Sequence, residues 1–220
     1  MRRVLSTKRL NIAQKELLLN AGISLVDYNA IEIIPVEFEF PKSIDNAIFT
    51  SGNAVDIVFE NKPESLQFRR VFCVGPKTYQ KLTNLGQNVV KKANNASELG
   101  GFIQNSYENE AFYFFSGSLR KSDLPDLIKS SKNRLFELKT YKNELKIRKF
   151  DQIFDGILFF SPSGVTSFTR ENELSHCPVF CIGETTAAEA RKYTSDVHIA
   201  NQTTVESVIA KAVKNLRTND

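Results

Sequence analysis

The sequence predicts an α/β fold: two similar parallel-sheet α/β domains, one inserted into the other and joined by a pair of extended linkers. Short apolar runs alternate with helical patterns along most of the 220 residues, as parallel strands covered by helices do. One strand–loop–helix unit recurs at a nearly fixed spacing. The order of the recurring parts then requires the two ends of the chain to combine into one domain.

Arg3 to Ser6 reads as the first strand. An amphipathic stretch follows from Ile12 to Asn20, Gly22 is placed to cap it, and Ile23 to Tyr28 forms the next strand. Ile31 to Phe40 is extended but interrupted by Pro35, and Glu32, Glu37 and Glu39 alternate along it. That pattern suits an edge strand or a linker.

The repeat begins next. Asp45 to Val55 matches Asp155 to Val165 at a shift of 110 positions (155 − 45), with the Asp, Phe, Ser and Val in common. Val71 to Thr78 matches Val179 to Thr186 at a shift of 108 (183 − 75). A weaker echo links Phe115 to Ser118, a helix and Leu135 to Tyr141 with Leu5 to Lys8, a helix and Leu25 to Asn29. The strand–helix–strand segment that opens the chain thus has its counterpart in the middle. A discontinuous domain of residues 1–34 plus 147–220 is therefore expected, with a domain of residues 38–142 inserted. Linkers 35–37 and 143–146 would cross between them as a natural hinge.

Composition narrows the function. The chain is 41% hydrophobic, enough for a proper core, and its 17 Phe fall in short runs that read as buried strands. No apolar run approaches the ~20 residues of a membrane helix, and no apolar signal core follows Met1, so a cytoplasmic protein with no membrane partner is expected. Cys73, Cys177 and Cys181 suit a reducing compartment. Cys177 and Cys181 with His176 lack the second ligand pair of a zinc site, and Cys73 and Cys181 read as small buried hydrophobes. No metal is expected. A net charge of +4 permits an anionic small molecule but lacks the basic stripe of a nucleic-acid binder. Lys91-Lys92 and Lys139 to Lys149, the densest basic stretches, read as a solvated helix end and a solvated linker.

Four loops lie at the carboxyl end of a strand and just before a helix: Thr50 to Asn53, Gly75 to Thr78, Ser161 to Gly164, and Gly183 to Thr186. Ligands of open α/β sheets bind there, and small hydroxyls with free helix N–H groups suit carboxylates or phosphates. Ser51, Ser163 and Thr185 would cap helices in any case, so a single loop says little. Recurrence of two loops in both halves says more, since capping does not require a whole strand–loop pattern to repeat. There is no dinucleotide fingerprint, phosphate loop or Gly-x-Ser-x-Gly elbow. His176 and His198 have no evident triad partners, and Asp45 and Asp155 begin strands at the wrong end for chemistry. The residues alone describe a two-domain binder of an anionic small molecule. They leave open a non-catalytic binding protein and, less well supported, a phosphosugar or nucleotide enzyme.

These motifs resemble the uroporphyrinogen-III synthase family along nearly the whole chain. The family's Thr-Ser-x-x-Ala-Val is similar to Thr50 to Val55 and, in the other half, to Phe160 to Val165. Its Gly-Pro-Thr-Thr-Ala resembles Gly183-Glu184-Thr185-Thr186-Ala187. Its glycine, arginine and spaced leucines resemble Gly117 to Leu127, and its Val-Tyr-x-Thr resembles Thr140-Tyr141-Lys142-Asn143. The chain departs from the pattern at Thr7-Lys8-Arg9, where Thr-Arg-Pro is usual, at Glu184 for proline, and at Asn143 for threonine.

The resemblance implies an enzyme without cofactor that binds hydroxymethylbilane between two α/β domains, and a monomer is expected. It would close the ring with the last pyrrole inverted, through an azafulvene and a spiro intermediate, largely by positioning. It also implies that Tyr141 helps the hydroxyl leave. Ser51, Asn53, Ser161, Ser163, Thr185 and Thr186 would hold carboxylates, and Thr7, Ser116 and Gly117 would line the same cleft. Glu184 would oppose an anion at its loop.

Overall fold

The structure, a computed structural model, describes residues 2–118, 122–174 and 177–218. Arg120, His176 and the terminal Asn219 and Asp220 lie outside the described residues. The chain forms two compact units, residues 1–32 with 144–220 and residues 33–143.

The first unit opens with β1 (Arg3–Ser6), α1 (Ile12–Leu19) and β2 (Ser24–Asp27). Asn11 and Gln14 form a reciprocal capping box that starts α1. Gly22, at φ +75°, ends it with Gly22 N–H donating to Leu19 and Ile23 N–H to Leu18. The strand β3 (Ile31–Pro35) leads into the second unit. There follow β4 (Ile44–Phe49), α2 (Gly52–Asn61), β5 (Phe68–Val74), α3 (Pro76–Asn84), β6 (Val89–Ala93), α4 (Ala96–Ser106), β7 (Ala111–Gly117), α5 (Asp123–Lys129) and β8 (Arg134–Leu145). The first unit resumes with β9 (Gly156–Phe159), α6 (Pro162–Thr169), β10 (Val179–Cys181), α7 (Glu184–Ala190), β11 (Val197–Ile199) and α8 (Val205–Thr218). The boundaries between units fall inside β3 and just before the end of β8; of the segments expected as linkers, residues 143–145 are strand, and Pro35 ends β3, leaving residues 36–37 outside it.

Each sheet has one plan. The first runs β11-β10-β9-β1-β2 and the second β6-β5-β4-β7-β8, with β3 added at the β8 edge. Pro35 ends β3, as an edge position tolerates. The pairs from β4 to β8 and those of the first sheet are parallel. Both orders reverse direction at one place, between β4 and β7 in one sheet and between β9 and β1 in the other. A crevice at the carboxyl ends of the strands is expected at such a reversal.

Continuous apolar strands, buried on both faces, hold each unit together. In the second unit Phe49 and Phe115 stack at 5.0 Å, with Phe68, Phe38 and Phe40 around them. On the other face Phe72, Phe112 and Phe114 pack with Leu99, Ile103 and Leu124. In the first unit Phe159, Phe168 and Val179 fill one face, and Leu18, Phe180 and Ile209 the other.

Candidate active site

In the second unit, the carboxyl ends of the strands enclose a cavity of about 350 Å³ lined by Thr50, Ser51, Val74, Asn95, Ala96, Phe114, Gly117, Leu124, Tyr141 and Asn143. It lies at the strand-order reversal between β4 and β7. Val74, Phe114 and Leu124 give it an apolar side, and the hydroxyls and amides give it a polar one.

Ser51 has extended backbone and caps α2, its Oγ accepting from Asn53 N–H at 3.2 Å. Tyr141 is 8% exposed, and its phenol donates to the same Ser51 Oγ at 3.0 Å. A break in the pairing of β7 with β8 brings the phenol there. Ser116 pairs with Lys139, but Gly117 pairs with Tyr141, so one residue, Thr140, is skipped. Such a bulge re-aims the following side chain. Gly117 leaves room for the ring: a Cβ there would stand 2.4 Å from Tyr141 Cε2 and Cζ.

The other expected residues divide clearly. Ser116 is buried, donates to Glu137 at 3.0 Å and does not line the cavity. Asn53 is exposed on the first turn of α2, contributing its backbone N–H to Ser51.

The first unit carries its own cluster at the reversal between β9 and β1. Ser161 caps α6 by accepting from Gly164 N–H at 3.0 Å, and its Oγ lies 3.2 Å from Ser163 Oγ. Thr7 Oγ1 donates to the Leu158 carbonyl at 2.8 Å, and a Cβ on Gly164 would be 3.5 Å from the Thr7 hydroxyl oxygen. Thr185 is exposed at the start of α7, whereas Thr186 is buried with its N–H donating to the Gly183 carbonyl at 3.1 Å. Glu184 forms an ion pair with Arg191 across α7, which offsets the charge expected to oppose an anion there.

Thr50, Asn95 and Asn143 also line the cavity, although the sequence did not single them out as binding residues. Asn95 left a signal, since Asn95 with Glu98 is a helix-start pattern after a strand. Its Oδ1 accepts from Glu98 N–H at 2.8 Å.

Elsewhere the chemistry is poorer. A larger groove of about 670 Å³ runs along Pro35 to Phe40 beside Ile57 and Asn61, but Glu37 and Glu39 line it, which disfavours an anion. Among the described residues no three His, Cys, Asp or Glu side chains gather as metal ligands. Cys73 and Cys181 are buried, and burial pushes their thiols up to about 11 and about 12. Cys177 is raised to about 11 by burial, with Asp155 and Asp196 adding to it. Such thiols are inert. No described helix is long and apolar enough to cross a membrane.

The family model for uroporphyrinogen-III synthase HemD matches residues 13–210. The chain belongs to the uroporphyrinogen-III synthase family. Solved structures agree in fold. A uroporphyrinogen-III synthetase from Helicobacter pylori matches with TM-score 0.76 at 19% identity, over 98% of this chain and 100% of that one. A mutant uroporphyrinogen III synthase from the extremely thermophilic bacterium Thermus thermophilus matches with TM-score 0.67 at 14% identity, over 99% and 100%. No curated protein matches by sequence. Uroporphyrinogen-III synthase is a cyclising lyase of tetrapyrrole biosynthesis. It closes hydroxymethylbilane to uroporphyrinogen III with inversion of ring D and loss of water.

Proposed function

We propose that the cavity of the second unit is where the bilane's hydroxyl departs, with Tyr141 as the acid that assists it. The observation that carries this is the phenol of Tyr141 at the β4–β7 reversal, hydrogen-bonded to Ser51 beside Gly117. Loss of hydroxide is hard and loss of water is easy, so a proton donor at the leaving oxygen lowers the barrier. The remaining demand is geometric: the last pyrrole must react at its substituted carbon before its free one, which is a matter of holding.

Substrate carboxylates supply the handles. We assign Asn53, Ser161, Ser163, Thr185 and Thr186 to them through hydroxyls and helix-start N–H groups, with Thr7, Gly117 and Ser116 shaping the strand ends. Ser116 would act only by fixing backbone, since Glu137 holds its hydroxyl. The reading is of a cytoplasmic monomer acting on this one small molecule, without cofactor or nucleic acid. Water is the only by-product, and no redox partner enters the balance.

The experiment is the isomer composition of the ring formed from hydroxymethylbilane, with and without chelator-treated protein. Isomer III is expected, and isomer I alone would sink the reading. Tyr141→Phe, which keeps the ring, should lower kcat by roughly tenfold to a hundredfold while the product stays isomer III. Unchanged turnover would reduce Tyr141 to a packing residue.

A further inference from the structure

Ser51 stands in the sequence reading as one carboxylate-binding hydroxyl among several, but its hydrogen bonds describe something narrower. A serine hydroxyl has two acceptor lone pairs and one proton to give. Both lone pairs of Ser51 are engaged, one by Asn53 N–H at 3.2 Å and one by the Tyr141 phenol at 3.0 Å. Its own proton has no acceptor among the described residues, and the side chain lines the cavity. Tyr141 is the reverse case, since its proton already points at Ser51. Gly117 leaves the space that the phenol ring occupies, since a Cβ there would stand 2.4 Å from the ring.

From this we infer that the proton reaches the leaving group through Ser51, with Tyr141 as the group behind it. The inference rests on the proposed role of Tyr141 and deepens it. As the carbon–oxygen bond of the hydroxymethyl group breaks, Ser51 Oγ–H protonates the departing oxygen, which leaves as water. Ser51 takes the Tyr141 proton in the same motion, leaving a phenolate and the azafulvenium cation. The last pyrrole attacks this cation through its substituted carbon, which carries no hydrogen, and so forms the spiro intermediate. The bond from that carbon to its former methylene bridge then breaks, leaving a second azafulvenium on the neighbouring pyrrole. The free carbon of the last pyrrole attacks that cation and loses its hydrogen as a proton to recover aromaticity. That proton returns to the phenolate, so both hydroxyls are restored and water is the only by-product. The helix-start N–H of Asn53 and the positive end of α2 favour negative charge on Ser51 Oγ while the proton passes.

A double-mutant cycle on the whole protein tests this, with kcat, KM and isomer ratio read together. Ser51→Ala removes the hydroxyl and the cap together. Ser51→Gly removes the hydroxyl but retains most of the capping preference, which keeps folding out of the result. Both should lower kcat by about the factor seen for Tyr141→Phe, with KM within about twofold of wild type. Ser51→Gly combined with Tyr141→Phe should be no slower than either alone, because both cut one chain. Ser51→Thr, which suits the extended backbone and keeps a hydroxyl, should recover most of the turnover. Wild-type kcat in Ser51→Gly, with Tyr141→Phe still impaired, would overturn the relay and leave the phenol donating directly. Losses that multiply in the double variant would overturn it too. Unimpaired Tyr141→Phe would remove the functional reading itself.

Discussion

Each unit places a tyrosine just past the same point of the same strand plan, and the two phenols meet opposite fates. In the first unit β1 pairs with β2 without a break up to Ser6 and Asp27, and Tyr28 comes next. Its side chain turns into the core against Phe150, at 5.1 Å, and its hydroxyl is buried with no hydrogen-bond partner among the described residues. Burial pushes that phenol up to about 12, against a smaller opposing effect of Arg148. In the second unit the bulge at Gly117 skips one residue, so Thr140 takes the buried place and Tyr141 faces the cavity. A single extra residue in a ladder decides whether an aromatic hydroxyl becomes filling or function.

The comparison is broken most severely at Gly117. Gly117→Ala puts a Cβ within 2.4 Å of the Tyr141 ring, so the ring must leave its place beside Ser51. Crowding of this kind costs about 1–3 kcal/mol of stability, measured by denaturant unfolding. Turnover should fall about a hundredfold, at least as far as in Tyr141→Phe. If Gly117→Ala kept wild-type kcat, the phenol would have no part in the reaction.

Ser161→Ala sharpens the contrast from the other side. Ser161 caps α6 as Ser51 caps α2, but its Oγ meets Ser163 where Ser51 meets a phenol. Its loss should cost about 1 kcal/mol of stability and raise KM, with kcat within about threefold of wild type. A drop in kcat as large as that of Ser51→Gly would make the two units equal partners in the chemistry.

The smallest effect belongs to Tyr28. Tyr28→Phe deletes an orphaned hydroxyl and should be neutral or stabilise by up to about 1 kcal/mol, with activity unchanged. The sign with pH is definite. The folded phenol holds its proton to about 12 while the unfolded one titrates near the ordinary tyrosine value of 10.0, so the unfolded state is favoured progressively as pH rises from 10.0 towards 12. The variant should lose less stability across that window, as read by unfolding midpoints. Equal alkaline loss in both proteins would show that Tyr28 ionises freely in the folded state.

Much of this architecture is written in the sequence, because a repeated strand–loop–helix pattern forces a repeated sheet. The strand at Arg3 to Ser6, the helix from Ile12 and its stop at Gly22 follow from apolar period and capping chemistry. The edge place of β3 follows from Pro35. The site was legible as loops but not as directions. Ser116 and Gly117 are neighbours, yet one is bonded away to Glu137 and the other makes room for a ring. The bulge that sets this leaves no mark in composition, and Thr140 and Tyr141 read alike as strand residues. Nor does sequence reveal that Ser51 receives two hydrogen bonds while Ser161 exchanges one with a neighbouring serine.

The way the chain interrupts itself also sets an order of birth. The strand β1 lies between β2 and β9, so the first unit lacks the far half of its sheet until residues beyond 156 have left the ribosome. Everything the second unit's sheet requires has emerged by the end of β8. Domains fold largely as units during synthesis, N-terminal material first, yet here β1, made before the whole second unit, gains its β9 neighbour only after that unit is complete. Until then β1 presents an unpaired apolar edge, the kind of strand that chaperones hold and that pairs wrongly when crowded. A nascent chain that ends at residue 150 and is followed by a spacer long enough to fill the exit tunnel should therefore protect residues 44–141 from protease while leaving residues 2–27 open to it.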